Sequence, residues 1–249
     1  MPSAFGTWFA PACGPTVARS VRAIVLMPAH NEEGRIAASV EAARAIPGVE
    51  SVVVIDDGSS DATAKRARDA GARVVHLPRN VGKGAALNAG LDAVRDDADV
   101  LLLLDADLGD TAAAGGRLLA PIAAGDADMA VGLLERPARS GGFGLVMGLA
   151  RAGIARLGSG AFRPEAPISG QRALSKAAWT VVTPFAGGYG AEVALTIRAL
   201  RAGLRVTEVP VAMRHAATGR DPAGFVHRGR QLLDIARTLA ALWLEQRRR

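Results

Sequence analysis

The sequence predicts a single α/β domain built on a mostly parallel central sheet flanked by helices. Three observations lead there. Apolar runs of strand length alternate with helical stretches from residue 23 to residue 133. Two of those runs end in acidic clusters, Asp56-Asp57-Gly58-Ser59-Ser60-Asp61 and Asp105-Ala106-Asp107. The chain has 249 residues, 49% of them hydrophobic, which fits one large core better than two. Carboxylates at the C-terminal edge of a parallel sheet stand where open α/β folds bind ligands.

The elements follow in order. Residues 23–27 are a short buried run and predict the first strand. Residues 34–45 read as a helix stopped by Pro47-Gly48. Residues 52–55 predict the second strand; Asp61 then opens a helix that Gly71 ends. Residues 73–77 predict a third strand, 84–94 a helix, 100–104 a fourth strand, 111–124 a helix and 129–133 a fifth strand. The rhythm then changes. Residues 140–160 are Gly-rich, and their centre, 145–157, has the pattern of an amphipathic helix. Residues 168–173 read as a short strand or turn. Residues 189–201 are helical, with Gly203 just beyond. Residues 204–213 predict a strand near a sheet edge, because Pro210 cannot donate to a ladder. Residues 225–244 predict a final amphipathic helix.

Composition narrows the function. The net charge is +6, from 30 basic and 24 acidic residues, and Arg247-Arg248-Arg249 close the chain. That balance suits phosphate-bearing partners. Aromatics are only 4% and do not interleave with the basic residues, so nucleic-acid binding is not expected. Cys13, the single cysteine, excludes an internal disulfide and points to a reducing cytoplasm. Residues 1–20 read as a loose arm, without the basic start and unbroken apolar core of a signal peptide. With no apolar run of about 18 residues, no transmembrane helix is expected. Any membrane contact would be peripheral, at the inner face, through residues 141–157 (Phe143, Leu145, Val146, Met147 and Leu149 in lipid, Arg151 and Arg156 at headgroups) or weakly through the Arg tail. The same helix reads equally as core.

Two phosphate-binding motifs are absent. After the first strand, Pro28-Ala29-His30-Asn31-Glu32-Glu33-Gly34 stands where a dinucleotide-binding domain has Gly-x-Gly-x-x-Gly. Gly82-Lys83-Gly84 lacks the upstream glycine and the Ser or Thr of a P-loop, although Lys83 at a helix start is placed to meet a phosphate. The two acidic clusters remain. Carboxylates this close repel each other unless a cation compensates. A hard divalent ion bridging to phosphate oxygens is the simplest one.

Taken together, Pro28-Ala29-His30-Asn31-Glu32-Glu33, Asp56 to Asp61, Asn80-Val81-Gly82-Lys83-Gly84 and Asp105-Ala106-Asp107 resemble the family-2 glycosyltransferases of GT-A fold, in that family's order and spacing. The resemblance covers about the first 135 residues. It implies a nucleotide diphosphate sugar donor, UDP- or GDP-linked, and Mg2+ or Mn2+. It assigns Pro28, Ala29, Asn31 and Glu32 to the nucleoside site, Asp56 to the base with Asp57 beside it, and Asp105, Ala106 and Asp107 to the metal, ribose and diphosphate. His30 reads as a wall residue. Residues 21–135 would then bind the donor and residues 136–249 the acceptor, as two halves of one domain.

The acceptor half carries mixed signals. Pro167-Ile168-Ser169-Gly170-Gln171-Arg172-Ala173 resembles a segment of polyprenyl-phosphate sugar transferases, with Gln171 where an aromatic residue is usual; Arg172 would face phosphate. Gly187-Gly188-Tyr189-Gly190-Ala191-Glu192 resembles the glucosyl-3-phosphoglycerate synthases, and His215 matches their metal-ligating histidine. Glu192 reads either as a favourable charge at a helix start or as the base that a hydroxyl acceptor needs. Arg139, Arg151, Arg163 and Arg172 favour a phosphate-bearing acceptor. The expectation is an inverting hexosyl transfer to an anionic acceptor, polyprenyl phosphate first and a soluble phosphoglycerate second. A non-catalytic nucleotide-sugar sensor is the reading from another class, and a nucleotidyltransferase lacks its Gly-rich loop here. The sequence leaves oligomeric state open.

Overall fold

The structure is a computed structural model and describes residues 22–95, 97–134, 144–158, 162–215 and 222–247. The expected arm at 1–20 with Cys13, together with Arg139, Phe143 and the last two arginines, lies outside the described residues.

Among the described residues seven strands form one sheet: β1 (Ala23–Ala29), β2 (Val49–Asp56), β3 (Arg73–His76), β4 (Val100–Leu103), β5 (Met129–Leu134), β6 (Arg172–Ser175) and β7 (Val206–Val211). Their order is β3-β2-β1-β4-β6-β5-β7. All neighbours run parallel except β6, which is antiparallel to both β4 and β5. β1 stands between β2 and β4, where the strand order reverses. A crevice opens at such a switch point, beyond the strands' C-terminal ends. Ala29 pairs with Asp56 there, so the β1 loop emerges between the two acidic clusters.

Alternation along each strand divides the core. Val25 and Met27 of β1 face α1 (Ile36–Arg44), α2 (Thr63–Asp69) and α4 (Gly116–Ala123). Ile24 and Leu26 face α3 (Lys83–Val94), α6 (Lys176–Val182) and α7 (Ala191–Arg201). A third cluster joins α7 to α5 (Gly144–Leu157) and α8 (Pro222–Arg247) through Val146, Ile154, Ile197, Ile235 and Leu242. Each such buried aliphatic side chain contributes about 1.5–3 kcal/mol relative to exposure. α7 packs on two sides, which explains why Ala191 to Ile197 are all buried.

Several expectations are corrected. The strand expected at 168–173 begins at Arg172, and it inserts between β4 and β5 against the parallel trend. The helix expected over 111–124 opens as a 3-10 turn, Gly109–Gly115, before α4. Gly115 lets that turn approach Leu104 and Ile46: a Cβ there would lie 3.2 Å from Leu104 Cδ2. α6 was not expected. Its start is set by Ser175, whose Oγ accepts the Ala178 amide at 3.2 Å. β7 is an edge strand, as Pro210 requires. No described helix is long and apolar enough to cross a membrane.

Candidate active site

Asp105 and Asp107 follow β4 directly. Ala106 between them turns into the core, and its carbonyl accepts the Ser39 hydroxyl at 2.7 Å. The two aspartates therefore project together. His215, four residues past β7, meets them: its Nδ1 lies 3.0 Å from Asp107 Oδ1, and its Nε2 4.0 Å from Asp105 Oδ2. One ligand atom from each of the three lies within 4.8 Å of the others. Two hard carboxylates and one imidazole fit Mn2+ or Mg2+ chemically, the nitrogen favouring the transition metal. The hydrogen bond to Asp107 raises the His215 pKa against the effect of burial, and Asp105 adds to the rise.

Lys83, the first residue of α3, reaches Asp105 Oδ1 at 2.6 Å and Glu192 Oε1 at 3.2 Å. Burial disfavours its charge, yet the two carboxylates outweigh burial and hold it protonated, above its ordinary value. Burial also opposes ionisation of Asp105; Lys83, then His215 and Gln171, overcome that and hold its carboxyl below the usual range. Gln171 touches Asp105 twice. Its Nε2 donates to Asp105 Oδ2 at 2.6 Å, and its Oε1 accepts the Asp105 amide at 3.0 Å. Sequence reasoning missed this residue, whose one signal was a glutamine in place of an aromatic.

The residues expected at the nucleoside site lie in the loops after β1 and β2. Asn31 takes a positive φ of 57°; its amide donates to Ser59 Oγ and its Oδ1 accepts the Ser60 amide at 2.9 Å. Pro28 is half-buried, and the Ala29 carbonyl accepts the Asp57 amide. Glu32 lies close enough to Asp107 that burial first, and that charge second, raise its pKa. Asp56 is buried; it accepts the Ser59 amide at 3.1 Å and pairs with His76 Nδ1 at 2.7 Å. Asp57 accepts the amides of Val81 and Gly82 at 2.7 and 2.9 Å, fixing the turn that delivers Lys83. Gly58, at φ 68°, is needed in that contact: a Cβ would lie 2.5 Å from the Arg79 carbonyl carbon. His30 Nδ1 lies 2.9 Å from the Asp57 carbonyl oxygen.

Glu192 opens α7 and is nearly buried beside Lys83. Arg172 does not face phosphate and is not on the surface. Successive residues of a strand point to opposite faces, so Gln171 meets Asp105 while Arg172 enters the core. There it donates to the Ser169 carbonyl, to Thr196 Oγ1 at 2.9 Å and to Met129 Sδ, and burial lowers its pKa to about 10. Arg151 is likewise committed, to the carbonyls of Pro164 and Glu165. Two of the four arginines that favoured an anionic acceptor thus have structural work.

The family described as glycosyl transferase family 2 matches residues 24–147. The glucosyl-3-phosphoglycerate synthase of Mycolicibacterium smegmatis is 32% identical over 232 residues, 85% of this chain and 72% of that protein. The dodecaprenyl-phosphate galacturonate synthase of Rhizobium johnstonii is 33% identical over 100 residues, 36% of this chain and 29% of its own length. Among solved structures, the glucosyl-3-phosphoglycerate synthase of Mycobacterium tuberculosis superposes with a TM-score of 0.74 in its complex with Mg2+ and UDP, at 27% identity, covering 89% of this chain and 79% of that one. Its complex with Mn2+, UDP and phosphoglyceric acid gives 0.72, at 27% identity over 89% and 78%.

Proposed function

The chain belongs to glycosyl transferase family 2, and from that premise we propose that it moves a hexose, with inversion, from a UDP-linked donor to the hydroxyl of a small phosphorylated carboxylate of the phosphoglycerate class. The observation that carries the reading is the meeting of Asp105, Asp107 and His215 at one point, with Lys83 joining Asp105 to Glu192. A divalent cation held by Asp105, Asp107 and His215 would neutralise charge building on the leaving diphosphate.

The remaining steps fall to the chain. The β1 and β2 loops hold the nucleoside, with Asn31, Glu32 and Asp56 lining it. The bond from the anomeric carbon to the diphosphate oxygen breaks as the acceptor oxygen attacks from the opposite face. Glu192 accepts the acceptor's hydroxyl proton, because an alcohol is too weak an acid to lose it unaided at neutral pH. Lys83 places its charge between this base and Asp105. Phosphoglycerate has one free hydroxyl, so a base is required; a lipid phosphate is already an anion and requires none. Similarity to the synthases over 85% of the chain extends into the acceptor half and supports the soluble acceptor.

Polyprenyl phosphate is the second reading. It is favoured by Leu145, which is 80% exposed in the first turn of α5. A partition assay separates the two. The protein, Mn2+ and labelled UDP-glucose are incubated with phosphoglycerate in buffer or with polyprenyl phosphate in detergent. Label in a new aqueous anion is expected. Label in the organic phase would favour the lipid reading, and transfer to neither would overturn both.

A further inference from the structure

We propose that Gln171 is a positioning residue for metal binding: its buried amide fixes the orientation of Asp105 and so sets the affinity of the site for a divalent cation. The inference rests on the metal-centre reading of Asp105, Asp107 and His215. Gln171 itself is not in that set and would act on a cation only through Asp105.

Gln171 is fully buried, immediately before β6, and a buried amide must satisfy both of its ends. Here one partner satisfies both. The Asp105 backbone N–H can only donate, so it fixes the side-chain oxygen on that side. The side-chain nitrogen is then left to donate to Asp105 Oδ2. The contact to the Asp105 amide anchors the Gln171 side chain against the backbone, and from that anchored position its nitrogen holds one carboxylate oxygen. Lys83 takes Oδ1 from another direction. Oδ2, which Gln171 holds, is also the oxygen that lies 4.0 Å from His215 Nε2. The amide therefore fixes the oxygen that lies toward His215.

The surrounding backbone is shaped around this contact. Gly132 on β5 accepts no side chain without crowding it: a Cβ there would lie 3.1 Å from Gln171 Cβ and 3.3 Å from its carbonyl oxygen. That carbonyl accepts the Gly132 amide at 2.8 Å, which anchors the residue to the sheet. Gly170 passes as close on the other side, since a Cβ there would lie 2.5 Å from Lys83 Nζ and 3.0 Å from Asp105 Oδ2. Two glycines thus let residues 170–171 press against the aspartate. A hydrogen-bonded group behind a metal ligand commonly governs affinity by 10–100-fold.

The test is Mn2+ binding, followed by the loss of the free-ion electron paramagnetic resonance signal, with and without UDP. Three proteins are compared: wild type, Gln171→Met and Gln171→Asn. Methionine keeps the length and loses both hydrogen bonds. Asparagine keeps the amide and loses the reach. Thermal melting on the same samples checks folding. The expected result is a dissociation constant for Mn2+ raised about 10–100-fold in both folded variants. Wild-type affinity in either folded variant would overturn the inference. Failure of the wild type to bind Mn2+ even with UDP would instead overturn the metal-centre reading beneath it.

Discussion

Asp105 is held from three sides, by Lys83, Gln171 and the neighbourhood of His215, and each contact has a separate origin in the chain. Glu192 shares Lys83 with it and, as the proposed base, would distinguish a hydroxyl acceptor from a phosphate one. With phosphoglycerate as acceptor, Glu192→Gln is expected to lower kcat by about 10²–10⁴ while Mn2+ binding changes little. Equal kcat in steady-state assays would remove Glu192 as base. Asp105, Asp107 and His215 were legible as candidates because each sits just beyond a strand, where short side chains of one edge converge. Gln171 was not legible, since its role depends on which strand lies beside β4, a pairing 66 residues away in sequence. Arg172 was misread for a related reason. Its glycine-flanked setting suggests a surface loop, but strand alternation sends it into the core beside Thr196.

At the scale of elements, the parallel half of the sheet was legible from apolar runs, glycine stops and the Pro210 edge signal. β6 was placed only in part, at 168–173, and α6 not at all, because an antiparallel insertion between β4 and β5 and a short helix directly after it leave no mark in the local apolar pattern. Two elements give direct tests. α3 starts against the 186–187 segment, and a Cβ on Gly84 would collide with the Ala186 carbonyl oxygen. Gly84→Ala is expected to cost about 1–3 kcal/mol in denaturant unfolding and to displace Lys83 from its two carboxylates. Wild-type stability would show that the segment yields. At the other end of the sheet, Asp128 before β5 accepts from the Arg205 amide and guanidinium before β7. Those hydrogen bonds hold its carboxyl below the ordinary value. A depressed carboxyl stabilises the fold above its unfolded pKa of about 4 and loses that contribution as pH falls through the folded one. Asp128→Asn should therefore melt a few degrees lower at pH 7, with the gap closing as pH drops below about 4. A gap independent of pH would contradict this.

The whole molecule is one folding unit. β6, from the second half, lies between β4 and β5 of the first, and Ala173, Val211 and Met213 complete the core under β1. A fragment of residues 1–135 is therefore expected to lack cooperative unfolding by circular dichroism; a sharp melt would show that this segment stands alone. The same interleaving builds the candidate site, since Asp105 and Asp107 precede residue 135 while Gln171, Glu192 and His215 follow it. The most direct test of metal-dependent sugar transfer is turnover of UDP-glucose by Asp107→Asn at saturating Mn2+, with folding verified by melting. The expected result is a loss of about two orders of magnitude or more, since even groups behind a metal ligand are worth 10–100-fold. Turnover equal to wild type would contradict the assignment of Asp107 to the reacting centre.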